Sequence, residues 1–153
     1  MSRVSRRSTR GSSLLGCPSD PSLTSAVTWV AEPPLDGRVV GHAILSSSVD
    51  RDAAPELCSS REGTAVERTA MLHRFFVDPA ARGHGIGALL VAQVVQEAQE
   101  RGLHALLEVV DTDSAAVALY ERLGWVLIAT VVQQWHAGRT MVVRCYAAPA
   151  TAA

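Results

Sequence analysis

FFVDPAARGHGIGA, Phe75 to Ala88, runs from the end of an apolar segment through a polar turn into a glycine-studded helix start. Val77 closes the apolar run, and Asp78-Pro79 breaks it, because proline fixes φ and has no N–H to continue a ladder. Arg82, Gly83, Gly85 and Gly87 follow, and Ile86, Leu89 and Leu90 at once begin a helical spacing. Glycine at such a junction lets backbone N–H groups approach a ligand with no Cβ in the way. The first turn of a helix leaves its N–H groups unpaired, at the positive end of the macrodipole. Together these features read as a socket for a pyrophosphate; an ordinary strand-to-helix turn is the bland alternative.

Three kinds of phosphate loop can be weighed against this stretch. A Walker A loop needs a lysine, and all 14 basic residues of this chain are arginine. A dinucleotide fingerprint wants G-x-G-x-x-G, with an acid about 20 residues further on. Here the spacing is G-x-G-x-G, and Glu108, 21 residues after Gly87, imitates that acid. Two strand candidates lie upstream, however, and too little chain follows for a doubly wound sheet.

The third kind fits better. Arg82-Gly83-His84-Gly85-Ile86-Gly87 resembles the R/Q-x-x-G-x-G/A signature of the GNAT superfamily, the acyl-CoA-dependent N-acetyltransferases. The flanking V-D-P and A-L-L are also similar to that family. A second block, Leu107-Glu108-Val109-Val110 through Ala118-Leu119-Tyr120-Glu121-Arg122-Leu123-Gly124-Trp125, resembles the family's later strand, helix and glycine-aromatic turn. Its L-E-V and A-L-Y pieces resemble the ribosomal-protein alanine acetyltransferase subgroup. The resemblance covers roughly Val27 to Tyr146.

Around these blocks the chain reads as one α/β (α+β) domain over residues 25–147. Ser25–Glu32 and Arg38–Ser48 have strand composition and flank the turn Pro33-Pro34-Leu35-Asp36-Gly37, which makes a hairpin. Residues 49–64 read as a polar loop, and Val66–Val77 as the strand leading into the socket. From Gly85 to Arg101, Ile86, Leu89, Leu90, Val94 and Ala98 fall at helical spacing. Leu103–Val110 is apolar on both faces apart from His104 and Glu108, as in a buried parallel strand, so strand, helix and strand form a right-handed crossover. Asp111 to Ser114 offers caps for a helix over Ala115–Leu123, and Gly124 stops it. Trp125–Trp135 and Arg139–Ala147 close as a hairpin.

The order βββαβαββ is that of a GNAT core, and the resemblance implies a mixed, mostly antiparallel sheet with one splayed strand pair. Family members usually open with a strand and two helices that roof the acceptor site. Residues 1–24 carry no such pattern. They are rich in Ser, Arg, Gly and Pro, and read as a disordered basic tail; a transit peptide or a misplaced start are the other readings. The N-terminal β-α-α roof is therefore expected to be truncated, and residues 148–153 to be a tail.

At 153 residues and 48% hydrophobic, the chain has material for one real core. A net charge of −1 creates no global field toward nucleic acid or membrane. No apolar run approaches the ~20 residues that span a bilayer. Cys17, Cys58 and Cys145 are odd in number and scattered without metal-ligand spacing. They read as incidental thiols of a cytoplasmic protein that needs no metal.

The resemblance implies direct transfer of an acetyl group from acetyl-CoA to a primary amine, on a small molecule or a protein N-terminus, with a homodimer compatible. By that resemblance the backbone from Gly83 through His84, Gly85, Ile86 and Gly87 to Ala88 holds the pyrophosphate, with Arg82 on a phosphate or on the loop itself. The strand end Phe75, Phe76 and Val77 would pair with the pantetheine arm like an added strand, one N–H polarising the thioester carbonyl. Asp113 stands where an asparagine typically bonds that arm; an ionised aspartate accepts but does not donate, and helix capping explains it equally.

Glu108, a carboxylate in an otherwise apolar strand, is costly unless paired or functional, and is the candidate general base. His73 is its rival, and Met71 stands where several subgroups keep a glutamate. Tyr120, with a reference pKa near 10, is the candidate acid for the departing thiolate, or else packs on the core. Trp135 and His136 could line an acceptor pocket. A non-catalytic acyl-CoA-binding domain lacking a complete acceptor site is the reading from another class.

Overall fold

The computed structural model describes residues 3–8, 27–32, 38–46 and 53–149. Seven strands form one sheet: β1 (Arg3–Ser8), β2 (Val27–Glu32), β3 (Gly41–Ser46), β4 (Thr69–Val77), β5 (His104–Val110), β6 (Val126–Trp135) and β7 (Arg139–Ala147). Their spatial order is β1-β2-β3-β4-β5-β7-β6. Among the described strands β4 and β5 pair in parallel and the other neighbours pair antiparallel. Among the described residues there are three α-helices: α1 (Ala54–Glu62), α2 (Ile86–Glu100) and α3 (Ser114–Arg122). The mixed, mostly antiparallel sheet expected from the sequence is present, with the α2 crossover linking its parallel pair.

Two elements depart from expectation. Arg3–Ser8 falls inside the stretch read as a disordered tail, yet it pairs with β2 from Arg3↔Glu32 to Ser8↔Val27. Val4 packs against the main core, and Arg6 Nη2 lies 3.0 Å from Glu97 Oε1 on α2. Residues 1–2 and 9–24 of that stretch, together with 25–26, the turn at 33–37, residues 47–52 at the end of the expected second strand and start of the loop, and the end of the C-terminal tail at 150–153, lie outside the described residues. The second departure is α1, which stands within the expected polar loop 49–64.

The core has two parts, one on each face of the sheet. On one face Leu90, Val91, Val94 and Ala98 of α2 cover Ala43 and Leu45 of β3, Leu72 of β4, Leu107 of β5 and Tyr146 of β7. On the other, Ala54 and Cys58 of α1 cover Met71, Leu106, Cys145 and Ile128. Each fully buried leucine or valine contributes roughly 1.5–3 kcal/mol against exposure, so the α2 face carries most of the stability. No described helix is long and apolar enough to cross a membrane.

What positions the site is the failure of β4 and β5 to stay together. Their ladder runs through Thr69↔His104, Ala70↔Ala105 and Met71↔Leu106, and ends there. On its other edge β4 shifts register against β3 between His42 and Ile44. Arg74 sits at φ +48, a positive φ that is uncommon outside glycine. A bulge of this kind bends its strand, and β4 leaves β5 with its outer backbone edge unpaired. This is the splayed pair that the resemblance implied.

Candidate functional site

The splay opens a cavity of about 840 Å³. Leu72 and the run from Arg74 to Val77 form one wall, Leu107 to Val110 the other, and the starts of α2 and α3 close the space between them. Phe75, Phe76 and Val77 lie on this wall, beyond the last β4–β5 pair, where β4 has no strand partner across the gap among the described residues.

The glycine loop meets this cavity at the N-terminus of α2. Gly83 has φ +87 and Gly85, the residue before the helix, has φ +74. A non-glycine residue in that region costs roughly 1–2 kcal/mol. Gly87 is needed for another reason. A Cβ there would stand 3.3 Å from Phe75 Cζ and 3.4 Å from Leu119 Cδ2, because β4 and α3 both press on the helix start. The Leu89 N–H donates to the Gly85 carbonyl at 3.1 Å, the first bond of the helix. Among the described residues, none of the N–H groups from Gly83 to Ala88 donates to a protein acceptor. Gly83, Gly85, Ile86, Gly87 and Ala88 all line the cavity, whereas His84 is exposed and off its wall. The result is a row of unsatisfied donors on a concave surface.

Three arginines stand around it. Arg82 Nε donates to the Val77 carbonyl at 3.3 Å, tying the loop to the end of β4. Arg74 and Arg122 also line the cavity. The sequence reading missed both, and no local pattern marks them: their place depends on the bulge in β4 and on the packing of α3.

Tyr120 of α3 lines the cavity and is only 5% exposed. Its ring packs against Phe75, Trp125 and Tyr146, with centroids 6.0, 5.9 and 6.3 Å away. Burial, and secondarily the Asp113 carboxylate, push the phenol well above its ordinary value of about 10. It holds its proton throughout the physiological range. Packing and a proton-donor role are thus compatible here. Tyr146, fully buried behind it, donates to Glu121 Oε1 at 2.9 Å; it is a third residue that the sequence did not single out.

Asp113 caps α3, accepting the Ala116 N–H at 3.2 Å, while lining the cavity. Glu108 also has a structural task. Its Oε1 accepts the N–H groups of Ala53 at 2.7 Å and Ala54 at 3.1 Å, with Cys145 Sγ at 3.8 Å. Helix α1 has no side-chain cap of its own, so a carboxylate from the middle of the sheet supplies one. The cost of burying that acid is offset by two amides and a helix dipole rather than by an arginine. Glu108 still lines the cavity. Burial, followed by Glu108, raises the Cys145 thiol to about 12.

His73 is half-buried on β4 opposite Ile44 and is not on the cavity wall. Met71 is 1% exposed in the core beneath α1, so packing accounts for it. The side chains of Trp135 and His136 lie outside the described residues. The cysteines are less isolated than their spacing implied, since Cys58 Sγ lies 3.8 Å from His104 Nδ1.

Known proteins sharpen the picture. The model of the Acetyltransferase (GNAT) family matches residues 14–125. Mycothiol acetyltransferase of Paenarthrobacter aurescens is 47% identical over 51 residues, 33% of this chain and 16% of that protein. The alanine N-acetyltransferase of ribosomal protein bS18 from Escherichia coli is 40% identical over 57 residues, 37% of this chain and 38% of that one. The matched segments thus span well under half the length of these curated relatives. Among solved structures, the ribosomal-protein-alanine N-acetyltransferase of Brucella melitensis superposes with a TM-score of 0.62 at 25% identity, over 82% of this chain and 69% of that one. The yncA protein of Salmonella typhimurium, solved with acetyl-CoA, shares the fold with a TM-score of 0.62 at 21% identity, over 81% of this chain and 64% of that one. With the family model matching well over half of the 153 residues, and the fold shared across most of them, the chain belongs to the GNAT acetyltransferase family.

Proposed function

We propose that the protein moves an acetyl group from acetyl-CoA to a primary amine by direct transfer. The observation that carries this reading is the row of unpaired N–H groups at Gly83, Gly85, Ile86, Gly87 and Ala88, residues that line a cavity between splayed strands. A diphosphate satisfies those donors at the positive end of α2. Arg74, Arg82 and Arg122 add positive charge around it, which suits a ligand carrying several phosphates. The edge of β4 from Phe75 to Val77 offers backbone groups to an extended amide-bearing arm, in the manner of an added strand.

Acetyl-CoA supplies the activated thioester; the chain supplies position and protons. One N–H of the free β4 edge polarises the thioester carbonyl. Glu108 takes the proton of the incoming ammonium, directly or through one water, so that a neutral amine attacks. The C–N bond forms, the C–S bond breaks, the sulfur leaves with the bonding pair, and the nitrogen's surplus proton passes through water to solvent, from which Tyr120 is reprotonated after its donation. Tyr120 donates to that sulfur as its charge develops. A phenol raised by burial is a weak acid, but the same apolar surroundings disfavour a bare thiolate and raise its proton affinity too. Tyr120 is therefore suited to protonate the thiolate only as it forms.

The acceptor is a small-molecule amine or a protein N-terminus, the latter supported by the matched segment of the ribosomal-protein acetyltransferase. Free Cys58 and Cys145 and the near-neutral charge support a cytoplasmic setting without nucleic-acid or membrane partners. The test is free-thiol release from acetyl-CoA with a panel of amines, including peptides that begin with alanine. Release that requires an amine is expected. CoA binding without release for any amine would favour a non-catalytic acyl-CoA-binding domain.

A further inference from the structure

We propose that Cys58, Glu62 and His104 form a binding site for a zinc-type divalent cation, under the C-terminal half of α1 and away from the acetyl-transfer cavity. The three side chains come from two elements. Cys58 and Glu62 are one turn apart on α1, and His104 opens β5. Cys58 Sγ lies 3.6 Å from Glu62 Oε2 and 3.8 Å from His104 Nδ1, and Glu62 Oε2 lies 3.8 Å from that same nitrogen. Tetrahedral zinc, with bonds of about 2.3 Å to sulfur and 2.0–2.2 Å to nitrogen and oxygen, holds its ligands roughly 3.4–3.6 Å apart. The observed triangle is within a few tenths of an ångström of that size before any ion draws it in.

The histidine is oriented for the task. Its Nε2 lies 3.3 Å from the Ala148 carbonyl oxygen. A carbonyl only accepts, so Nε2 carries a proton, and metal binding would use the lone pair of Nδ1, the nitrogen that lies toward the sulfur and the carboxylate. A ligand histidine held through its other nitrogen by a backbone carbonyl is the usual supporting arrangement around zinc. The donor set of one sulfur, one nitrogen and one carboxylate oxygen suits zinc or its softer neighbours and not calcium or magnesium, which take oxygen ligands. A second cavity of about 590 Å³, lined by Glu62, Thr64 and His104 among others, adjoins the three side chains and leaves room for a water or exogenous fourth ligand.

Helix α1 also has reason to need such an anchor. It has 9 residues, and buries only Ala54, Pro55 and Cys58, too little for a helix of that length to hold itself. Glu108 fastens its first turn to β5. The cation would fasten its last turns to the same strand.

The experiment uses the untagged full chain, stripped of metal and titrated with Zn²⁺ against a chromophoric chelator, then with Co²⁺ as a spectroscopic stand-in. One equivalent is expected to bind, with a thiolate-to-cobalt charge-transfer band and a rise in thermal midpoint on adding Zn²⁺. Cys58→Ser should abolish the band. Because Cys58 is fully buried, that variant is prone to misfold. Glu62→Gln, at a side chain 43% exposed, preserves the fold and should weaken Zn²⁺ binding at least about tenfold. A missing charge-transfer band, or Zn²⁺ held equally tightly by wild type and Glu62→Gln, would make the three residues a hydrogen-bonded trio and overturn the site.

Discussion

Replacing Glu108 separates the capping contact seen in the structure from the base role proposed for the same carboxylate. Its Oε1 receives two α1 amides, at 2.7 and 3.1 Å, and hydrogen bonds to a charged acceptor contribute about 1.5–3 kcal/mol. Glu108→Ala removes that acceptor and leaves the amides of Ala53 and Ala54 without a partner, so about 2–3 kcal/mol is lost. At about 2–4 °C per kcal/mol for a chain of this size, the melting point falls by roughly 4–12 °C. Glu108→Gln keeps a carbonyl oxygen in place and loses only the charge opposite the helix dipole, about 1 kcal/mol. Neither variant can accept a proton, so turnover should drop about 10²–10⁴-fold in both. Thermal unfolding and thiol release at saturating substrates, run on the same preparations, give the two readouts. If Glu108→Gln keeps wild-type turnover, the carboxylate is a helix cap and not a base. If Glu108→Ala melts with the wild type, the capping account fails.

Tyr120→Phe should lower turnover about 10²-fold or more while leaving CoA affinity nearly unchanged, because the ring contacts survive and only the proton donor is lost. Since burial raises the Tyr120 phenol, it stays protonated as pH rises toward 10. Thiol release in the wild type should therefore show no alkaline loss near pH 10 that Tyr120→Phe removes; finding one would refute the environment assigned to the ring. Gly85→Ala forces a Cβ onto φ +74 with nothing nearby to clash, so its cost of about 1–2 kcal/mol is purely backbone. It should appear as a lower melting point or as roughly tenfold weaker CoA binding in calorimetry; neither changing would contradict the loop's role. Glu97→Ala removes the carboxylate, 8% exposed, that both Arg6 and Arg101 meet at 2.9–3.0 Å. It should cost about 1–3 kcal/mol and speed hydrogen exchange in β1; unchanged exchange there would mean that Arg6 does not hold the strand.

The cavity was legible in the sequence where chemistry is written locally. Positive-φ glycines, a proline stop and the helical spacing from Ile86 onward all lie within one short stretch, and Gly83 and Gly85 adopt the conformations that only glycine takes cheaply. Strand β5 and helix α3 were likewise marked by an apolar run and a capping aspartate. Helix α1 was not. Its sequence APELCSSRE lacks an apolar stripe, and its cap comes from Glu108, 54 residues away from Ala54. No window along the chain contains that partner. Strand β1 was hidden in the same way. Its serines and arginines give no strand signal, and its place depends on backbone pairing with β2 and on Glu97 far along the chain. The capping contacts of Glu108, read from the sequence only as an acid that is costly unless paired or functional, needed the fold to name their partners. Arg74 and Arg122 came to the cavity only through a bulge and a helix packing angle.

The central claim is that the backbone N–H groups from Gly83 to Ala88 receive a diphosphate. Titrating CoA into ¹⁵N-labelled full-length protein and following those amides by NMR tests it most directly. The account predicts saturable, one-to-one shifts at Gly83, Gly85, Ile86, Gly87 and Ala88, the largest in the spectrum. CoA binding that leaves these signals in place, or no binding by the folded protein, would contradict it.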